Sequence, residues 1–137
     1  MQMTFKFFFS FLFCLGLLIV SGCISEAQRQ EREAKQQEQE QKRTAFSYVK
    51  TLASAVERFA VDVGRPPTTR EGFEALVSRP PDVPEHNWQG PYILERATSL
   101  DPWGNNYQYA NPGDGGRAFD IWTNSPDGII GHWMNDI

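Results

Sequence analysis

Two aspartates near the C-terminus are the residues best suited to chemistry in this sequence. Asp127 lies in the stretch SPDG, and Asp136 lies in the closing stretch NDI. Carboxylate oxygens are hard donors, and calcium takes six to eight such oxygens, often including backbone carbonyls. The pair therefore suggests a calcium loop. The alternative is a loop without metal, closed by hydrogen bonds between the aspartates and the backbone.

A second chemical candidate is Cys23, which follows an apolar segment. Residues 7–20 are apolar apart from Ser10 and Gly16, Lys6 precedes them, and the tetrad VSGC ends at the cysteine. A bilayer span needs about 20 residues, whereas a charged start, a short apolar centre and small residues at the end are typical of a secretory signal. VSGC is similar to the bacterial lipobox, which predicts cleavage before Cys23 and lipid attachment to it. The alternative is an uncleaved anchor helix.

The sequence offers little for catalysis. His86 lies in a proline-rich loop and His132 lies beside Trp133, and neither has a nucleophile motif nearby. We find no glycine-rich phosphate loop and no zinc spacing in the sequence. Asp114 and Asp120 could act as paired carboxylates, but turn chemistry and strand alternation account for them. We therefore predict that the protein is not an enzyme and has no small-molecule substrate.

Charge and cysteine content limit the partners further. The 137 residues carry 13 Lys and Arg against 17 Asp and Glu, a net charge of −4. Nucleic-acid binding needs a basic face that displaces counterions, so no nucleic-acid partner is expected. Once residues 1–22 are removed, Cys23 is the single cysteine, and no intrachain disulfide can form.

A helix is predicted over residues 26–63, which contain neither glycine nor proline. Ser25 would cap it, with a glutamine three residues later completing a capping box. The first part, residues 26–43, consists almost entirely of Glu, Gln, Arg and Lys. Glu31 with Lys35 and Glu38 with Lys42 stand four apart with the acid first, the favourable order on a helix. This part is either a solvated helix or a partly disordered spacer.

The second part of the helix carries one apolar stripe. Its residues recur at steps of four and three, which is the helical period: Ala45, Val49, Leu52, Val56, Phe59 and Val63. The stripe predicts a helix packed on its own domain. A coiled-coil partner helix is the alternative, although under three heptads is short for one.

Beyond Gly64 the sequence predicts a small domain. Thr68 and Glu71 match a second capping box, which opens a short helix. The run Asp101-Pro102-Trp103-Gly104 predicts a turn, with proline in a favoured position and glycine at the end.

Two strands are predicted after this turn. Residues 107–109 and 118–123 alternate like strands, and the loop 111–116 joins them as a hairpin. The tail from Asn124 is predicted to be loop. The fold class is therefore α+β, with one long helix packed on a small antiparallel sheet and long ordered loops. The four tryptophans are expected to anchor the core and loops, and a carbohydrate or ligand platform is the alternative.

Three stretches of the domain together resemble a known family. They read VGRPPTTREGFEALVSRPPDVPEHNWQGPYIL, DPWGNNYQYANPGDGGRAFDIWTNSPDG and the closing NDI. They are similar to the globular part of the major pseudopilin of type II secretion, general secretion pathway protein G. The similarity runs from about Ala45 to Ile137. It implies a long N-terminal helix packed on a small antiparallel sheet.

The resemblance also implies a calcium site in the C-terminal loop. Asp127 and Asp136 match the family's ligand aspartates, while Asn124 and Ser125 stand where backbone-carbonyl ligands are expected. On this resemblance, Ca²⁺ is the one expected cofactor. The intervening stretch IIGHWM lacks the Gly-rich acidic residues of the family.

The N-terminal part departs from the family. Pseudopilins begin with a short basic leader, a Gly-Phe-Thr-Leu-type cleavage motif and a glutamate within an apolar helix that stays in the filament core. This chain has VSGC instead, followed by the charged segment 26–43. Unpaired charge is costly to bury, so we expect that the protein does not polymerise as the major subunit does.

These observations predict three segments: a lipoprotein signal peptide (1–22), a charged helical stalk or linker (23–43) and a pseudopilin G-like domain (44–137). The protein would be a lipid-anchored, periplasm-facing component of the cell envelope that contacts type II secretion or related pilus-type machinery. Ile24 and Ser25 follow the cysteine where an inner-membrane retention signal would carry aspartate, so the outer membrane is preferred. The alternatives are a stand-alone structural or ligand-binding lipoprotein, or an ordinary pseudopilus subunit.

Overall fold

The computed structural model describes residues 4–94 and 100–134, with side chains described from Ser25 onward. The chain forms two compact units, Met1–Gln39 and Glu40–Ile137. Its helices and strands, in chain order, are α1 (Thr4–Val63), α2 (Glu74–Val77), β1 (Gln108–Ala110), β2 (Asp120–Ser125) and β3 (Gly128–Gly131). The predicted α+β class, with a long N-terminal helix and a small antiparallel sheet, is confirmed.

Helix α1 begins earlier than predicted. It starts at Thr4 and continues through Ser25, so the capping box predicted at Ser25 is wrong. The physical reason is that the preceding residues are mostly Leu and Phe without proline, and nothing there ends a helix. The predicted pair of Glu31 and Lys35 is present, with 2.7 Å between carboxylate and ammonium. Within the described residues, no helix combines the length and apolarity needed to cross a bilayer.

The apolar stripe of α1 forms the core of the second unit. Five of its six predicted members are fully or almost fully buried, namely Ala45, Val49, Leu52, Val56 and Phe59. From Val49 onward they pack against α2 residues Ala75 and Leu76 and against Tyr92, Phe119 and Ile121. Burying one such Leu or Phe side chain contributes about 1.5–3 kcal/mol. The stripe therefore packs within its own domain, as predicted.

The predicted capping box at Thr68 is confirmed by its two reciprocal hydrogen bonds. The backbone N–H of Glu71 donates to Thr68 Oγ1 at 3.2 Å, and the N–H of Thr68 donates to Glu71 Oε2 at 2.5 Å. The box closes a turn, since Gly72 N–H donates to the Thr68 carbonyl at 2.9 Å. The helix itself follows at Glu74, five residues later than the box implies.

The sheet has three antiparallel strands in the order β1-β2-β3. Tyr109 of β1 pairs with Ile121 of β2, as expected for the predicted hairpin. The prediction that the tail is loop from Asn124 is wrong, because β2 continues to Ser125 and β3 pairs with it. The stretch SPDG is a two-residue hairpin turn between register partners Ser125 and Gly128. Gly128 adopts φ of +144°, a conformation that favours glycine.

Candidate functional site

The turn predicted over Asp101-Pro102-Trp103-Gly104 is present and is buried on one side. The N–H of Gly104 donates to the Asp101 carbonyl at 3.0 Å, and Gly104 has φ of +87°. The Asp101 residue is only 5% exposed. Its carboxylate Oδ1 accepts the N–H of Trp103 at 2.9 Å and that of Asn105 at 2.7 Å. The carboxylate thus holds its own turn closed.

The second oxygen of Asp101 joins this turn to β2. Oδ2 accepts the side-chain amide of Asn105 at 3.2 Å and the hydroxyl of Thr123, a residue with no exposed surface. The same Asn105 amide donates to the Asn124 carbonyl at 3.2 Å. Two of the predicted site regions, the Asp101 turn and Asn124, therefore lie side by side in the structure.

These hydrogen bonds decide the ionisation of Asp101. Burial by itself raises the pKa of the carboxyl group, but the hydrogen bonds from Thr123, Asn105 and Trp103 lower the pKa below its usual value overall. Asp101 is therefore charged at neutral pH. With four donors on its two oxygens, it is a structural carboxylate that has no free position for a general base.

The turn of the β2–β3 hairpin carries the predicted ligand Asp127. The Ser125 hydroxyl donates across the turn to the Gly128 carbonyl at 2.8 Å. Asp127 Oδ2 accepts a hydrogen bond from the ammonium group of Lys42 on α1. The Asp127 side chain is 60% exposed, whereas that of Lys42 is 22% exposed. The lysine is the more enclosed member of this ion pair.

The predicted calcium ligands fall into two groups. Asp136 lies outside the described residues. Asn124, Ser125 and Asp127 are described. The Asn124 carbonyl accepts an amide N–H, the Ser125 hydroxyl donates to a backbone carbonyl, and the Asp127 carboxylate accepts an ammonium group. Within the described part of the chain, no group of three or more His, Cys, Asp and Glu could hold a metal. Among the described residues, an ammonium group contacts the one predicted acidic ligand, Asp127, and the calcium site stays a prediction.

The predicted lipid-attachment residue Cys23 lies within helix α1. It precedes Ser25, the first residue whose side chain is described, and so lies outside the described side chains. Lipid attachment to Cys23 therefore stays a prediction.

An open groove of about 730 Å³ lies beside the Asp101 turn, and we call it the α1 groove. Helix α1 lines one side, and the other side is lined by the turn residues Asp101 and Pro102 together with the flanking Leu100 and Tyr107. Leu100 is 58% exposed, and burial raises the pKa of Tyr107 to about 12. Tyr107 is thus a neutral, packed residue that lines the groove. The groove offers apolar and hydroxyl surface, which suits contact with another protein.

His132 is a packed residue of the sheet edge. Its backbone N–H donates to the Ile121 carbonyl at 3.0 Å, and its Nδ1 accepts the N–H of Ile121 at 3.2 Å. The ring stacks on Phe119 with 4.9 Å between centroids. Burial lowers the pKa of His132, which favours the neutral form that can accept this hydrogen bond. These contacts give the histidine a structural role.

Three partners of the site were missed in the sequence. Asn105 and Thr123 bind Asp101, and Lys42 binds Asp127. The local sequence could have indicated Asn105, because it stands four residues after an aspartate that opens a turn. It could not have indicated Thr123 or Lys42, because they lie 22 and 85 residues away from their partners.

Comparison with known proteins adds a family likeness to this geometry. The model of the family described as Type II secretion system (T2SS), protein G, matches residues 32–136. Among similar proteins, the type II secretion system core protein G of Pectobacterium carotovorum subsp. carotovorum is 36% identical over 129 residues, covering 89% of this chain and 75% of that protein. The corresponding protein of Pseudomonas aeruginosa is 38% identical over 89 residues, covering 64% of this chain and 61% of its own length.

A solved structure shares the fold. The crystal structure of the major pseudopilin from the type 2 secretion system of enterohaemorrhagic Escherichia coli superposes with a TM-score of 0.60 and 32% sequence identity. The match covers 73% of this chain and 92% of that one. The relatives are named for a place in a secretion system and not for a reaction.

Proposed function

Because the chain belongs to the type II secretion system protein G family, we propose that it acts as a pseudopilin-like component of secretion machinery in the cell envelope. Its action would be contact with other proteins. The observation that carries this proposal is the likeness to the Escherichia coli major pseudopilin over 92% of that chain. In this chain the same fold supports the α1 groove, the described surface that we assign to partner contact.

Site-specific photo-crosslinking tests the proposed contact. A benzophenone amino acid replaces Ser47, an exposed residue that lines the α1 groove. We expect an adduct with a type II secretion component, identified by mass spectrometry of the crosslinked band in the native host. The matched control places the same amino acid at Glu85, which is exposed and does not line the groove. Equal adducts from both positions, or adducts that contain no secretion component, would contradict the proposal.

We further propose that Cys23 anchors the protein by lipid. The support is the VSGC tetrad at the end of the short apolar segment 7–20. Several acyl chains on one cysteine would anchor stably, whereas a single chain gives only marginal binding. The domain would face the periplasm. The residues Ile24 and Ser25 after the cysteine favour the outer membrane.

Intact-mass analysis of membrane-extracted protein tests the lipid anchor. We expect a mass equal to residues 23–137 plus acyl chains, and we expect Cys23→Ala to lose those chains and leave the membrane fraction. An N-terminal Met1 in mature protein would contradict the anchor. A methylated N-terminus produced by prepilin peptidase would instead favour the alternative of an ordinary pseudopilus subunit.

The charged segment bears on whether the protein enters a filament. Residues 26–37 are all exposed, and the ion pair of Arg29 with Glu33 lies on the helix surface. Packing this segment into an apolar filament core would bury many charges without partners, which is costly. We therefore propose a tethered pseudopilin-like protein that does not polymerise as the major subunit does.

A further inference from the structure

Two lysines of helix α1 hydrogen-bond to the β2–β3 hairpin, one at its turn and one just after β3. At the turn, the Lys42 ammonium group donates to Asp127. After β3, the ammonium group of Lys50 donates to the His132 carbonyl at 2.5 Å. Eight residues of helix separate the two lysines by about 12 Å, and the five residue steps from Asp127 to His132 span about 16 Å when extended. The two spacings are similar enough for both lysines to reach the hairpin.

The turn itself leaves few oxygens for a metal. With two residues between Ser125 and Gly128, it is the shortest common hairpin connection. The Ser125 hydroxyl donates to the Gly128 carbonyl, so that carbonyl is already bonded. The Asn124 carbonyl already accepts the Asn105 amide. A calcium ion needs six to eight oxygens, and the Asp127 carboxylate is the single acidic group that the described turn provides.

That carboxylate already faces a positive charge. Lys42 is held on α1, and its side chain is 78% buried by the surrounding unit, with 22% exposed. A fixed ammonium group satisfies the acid electrostatically, and it repels a divalent cation that approaches the same oxygens. Lysine also supplies up to three donors without requiring any ion from solution.

We propose that the ammonium group of Lys42 is the permanent positive charge beside Asp127 in the β2–β3 turn. It takes the place of the calcium ion that the family resemblance implies. The hairpin is then attached to α1 by a covalently fixed charge, and the stability of the domain does not depend on Ca²⁺. Asp127 is a positioning residue for the turn in this arrangement, and not a metal ligand.

Thermal unfolding of the full-length protein in detergent, with CaCl₂ or with EGTA, tests this proposal. We expect the same midpoint in both buffers for the wild type and no saturable heat in a calorimetric titration with CaCl₂. Ligand binding to the native state would raise the midpoint. A calcium-dependent rise that Asp127→Asn abolishes would overturn the proposal.

A double-mutant cycle isolates the contribution of the pair. We expect Lys42→Met and Asp127→Asn each to lower the midpoint by about 1–4 °C, since a partly exposed pair is worth a modest amount. The double variant should fall by less than the sum of the two. The charge-swapped variant Lys42→Asp with Asp127→Lys should recover part of the loss in EGTA. Additive single effects without recovery in the swapped variant would overturn the proposal.

Lys35→Met is the matched control for the cycle. Lys35 also pairs with a glutamate on α1, but its side chain is 73% exposed. We expect its midpoint to stay within about 1 °C of the wild type. The cycle also removes effects that are internal to the helix, because Glu38 stands four residues before Lys42 and is unchanged in every variant.

Discussion

Replacing Asp101 with alanine is expected to lower the free energy of unfolding by about 3 kcal/mol. The carboxylate is buried and accepts hydrogen bonds from two backbone N–H groups, one amide and the Thr123 hydroxyl. Its removal takes this acceptor from the buried Thr123 hydroxyl and the part-buried Trp103 N–H, and an unsatisfied buried donor costs about 1–3 kcal/mol. For a domain of this size, the thermal midpoint should fall by roughly 12–24 °C.

Chemical denaturation of the wild type and the variant at pH 7 measures this effect. Glu85→Ala is the control, because Glu85 is an exposed residue outside this network, and its change should stay within about 0.5 kcal/mol. Asp101→Asn provides a second test, since it keeps the size but replaces one acceptor oxygen with a donor. If Asp101→Ala unfolds at the same denaturant concentration as the wild type, the buried carboxylate does not hold the turn to β2.

Acidification should weaken the domain through Glu71. Both carboxylate oxygens of Glu71 accept hydrogen bonds from Arg65 at 2.8 Å, and Oε2 also accepts the N–H of Thr68. The Arg65 hydrogen bonds, against the opposing effect of burial, lower the pKa of Glu71 from 4.5 to about 2. Because the folded-state pKa is depressed, the stabilisation is fully present above about pH 4.5. It is lost as the pH falls towards 2.

Glu71→Gln should therefore lose about 2 kcal/mol at pH 7, a value reduced from the full shift because Arg65 is partly exposed. Between pH 4.5 and pH 2 the variant should also lose less stability than the wild type. Urea unfolding at several pH values measures both quantities. Glu74→Gln, three residues along on an exposed position, is the control and should follow the wild-type curve. Parallel pH curves for Glu71→Gln and the wild type would contradict the assignment.

The two predictions concern polar attachments in two different loops of the domain. Glu71 and Arg65 fix the turn that follows α1, while Asp101 fixes a later turn against β2. Both carboxylates have pKa values below their usual range because they accept several hydrogen bonds. A domain with a small sheet and long loops buries a low fraction of its surface. Such polar attachments are consequently a large part of what keeps its loops ordered.

Local features of this protein were predictable from the sequence. The burial of Val49, Leu52 and Phe59 follows from the helical period, which depends only on the spacing of apolar residues. The capping box at Thr68 and Glu71 and the turn at Asp101 follow from residue types within four positions. In each case the pattern that makes the prediction lies within a short stretch of the chain, so the local sequence is enough to predict the feature.

The tertiary structure alone decided the contacts between distant residues. The sequence suggested loop from Asn124, whereas β3 forms because β2 is already in place to pair with Ile129 and Ile130. Asp101 meets Thr123, and Lys42 meets Asp127, only after the helix, the turn and the sheet have packed together. No local sequence pattern predicts these contacts, because they depend on how the helix, the turn and the sheet pack in space. The sequence marked Asp127 as an oxygen donor, and the fold decided that an ammonium group would face it.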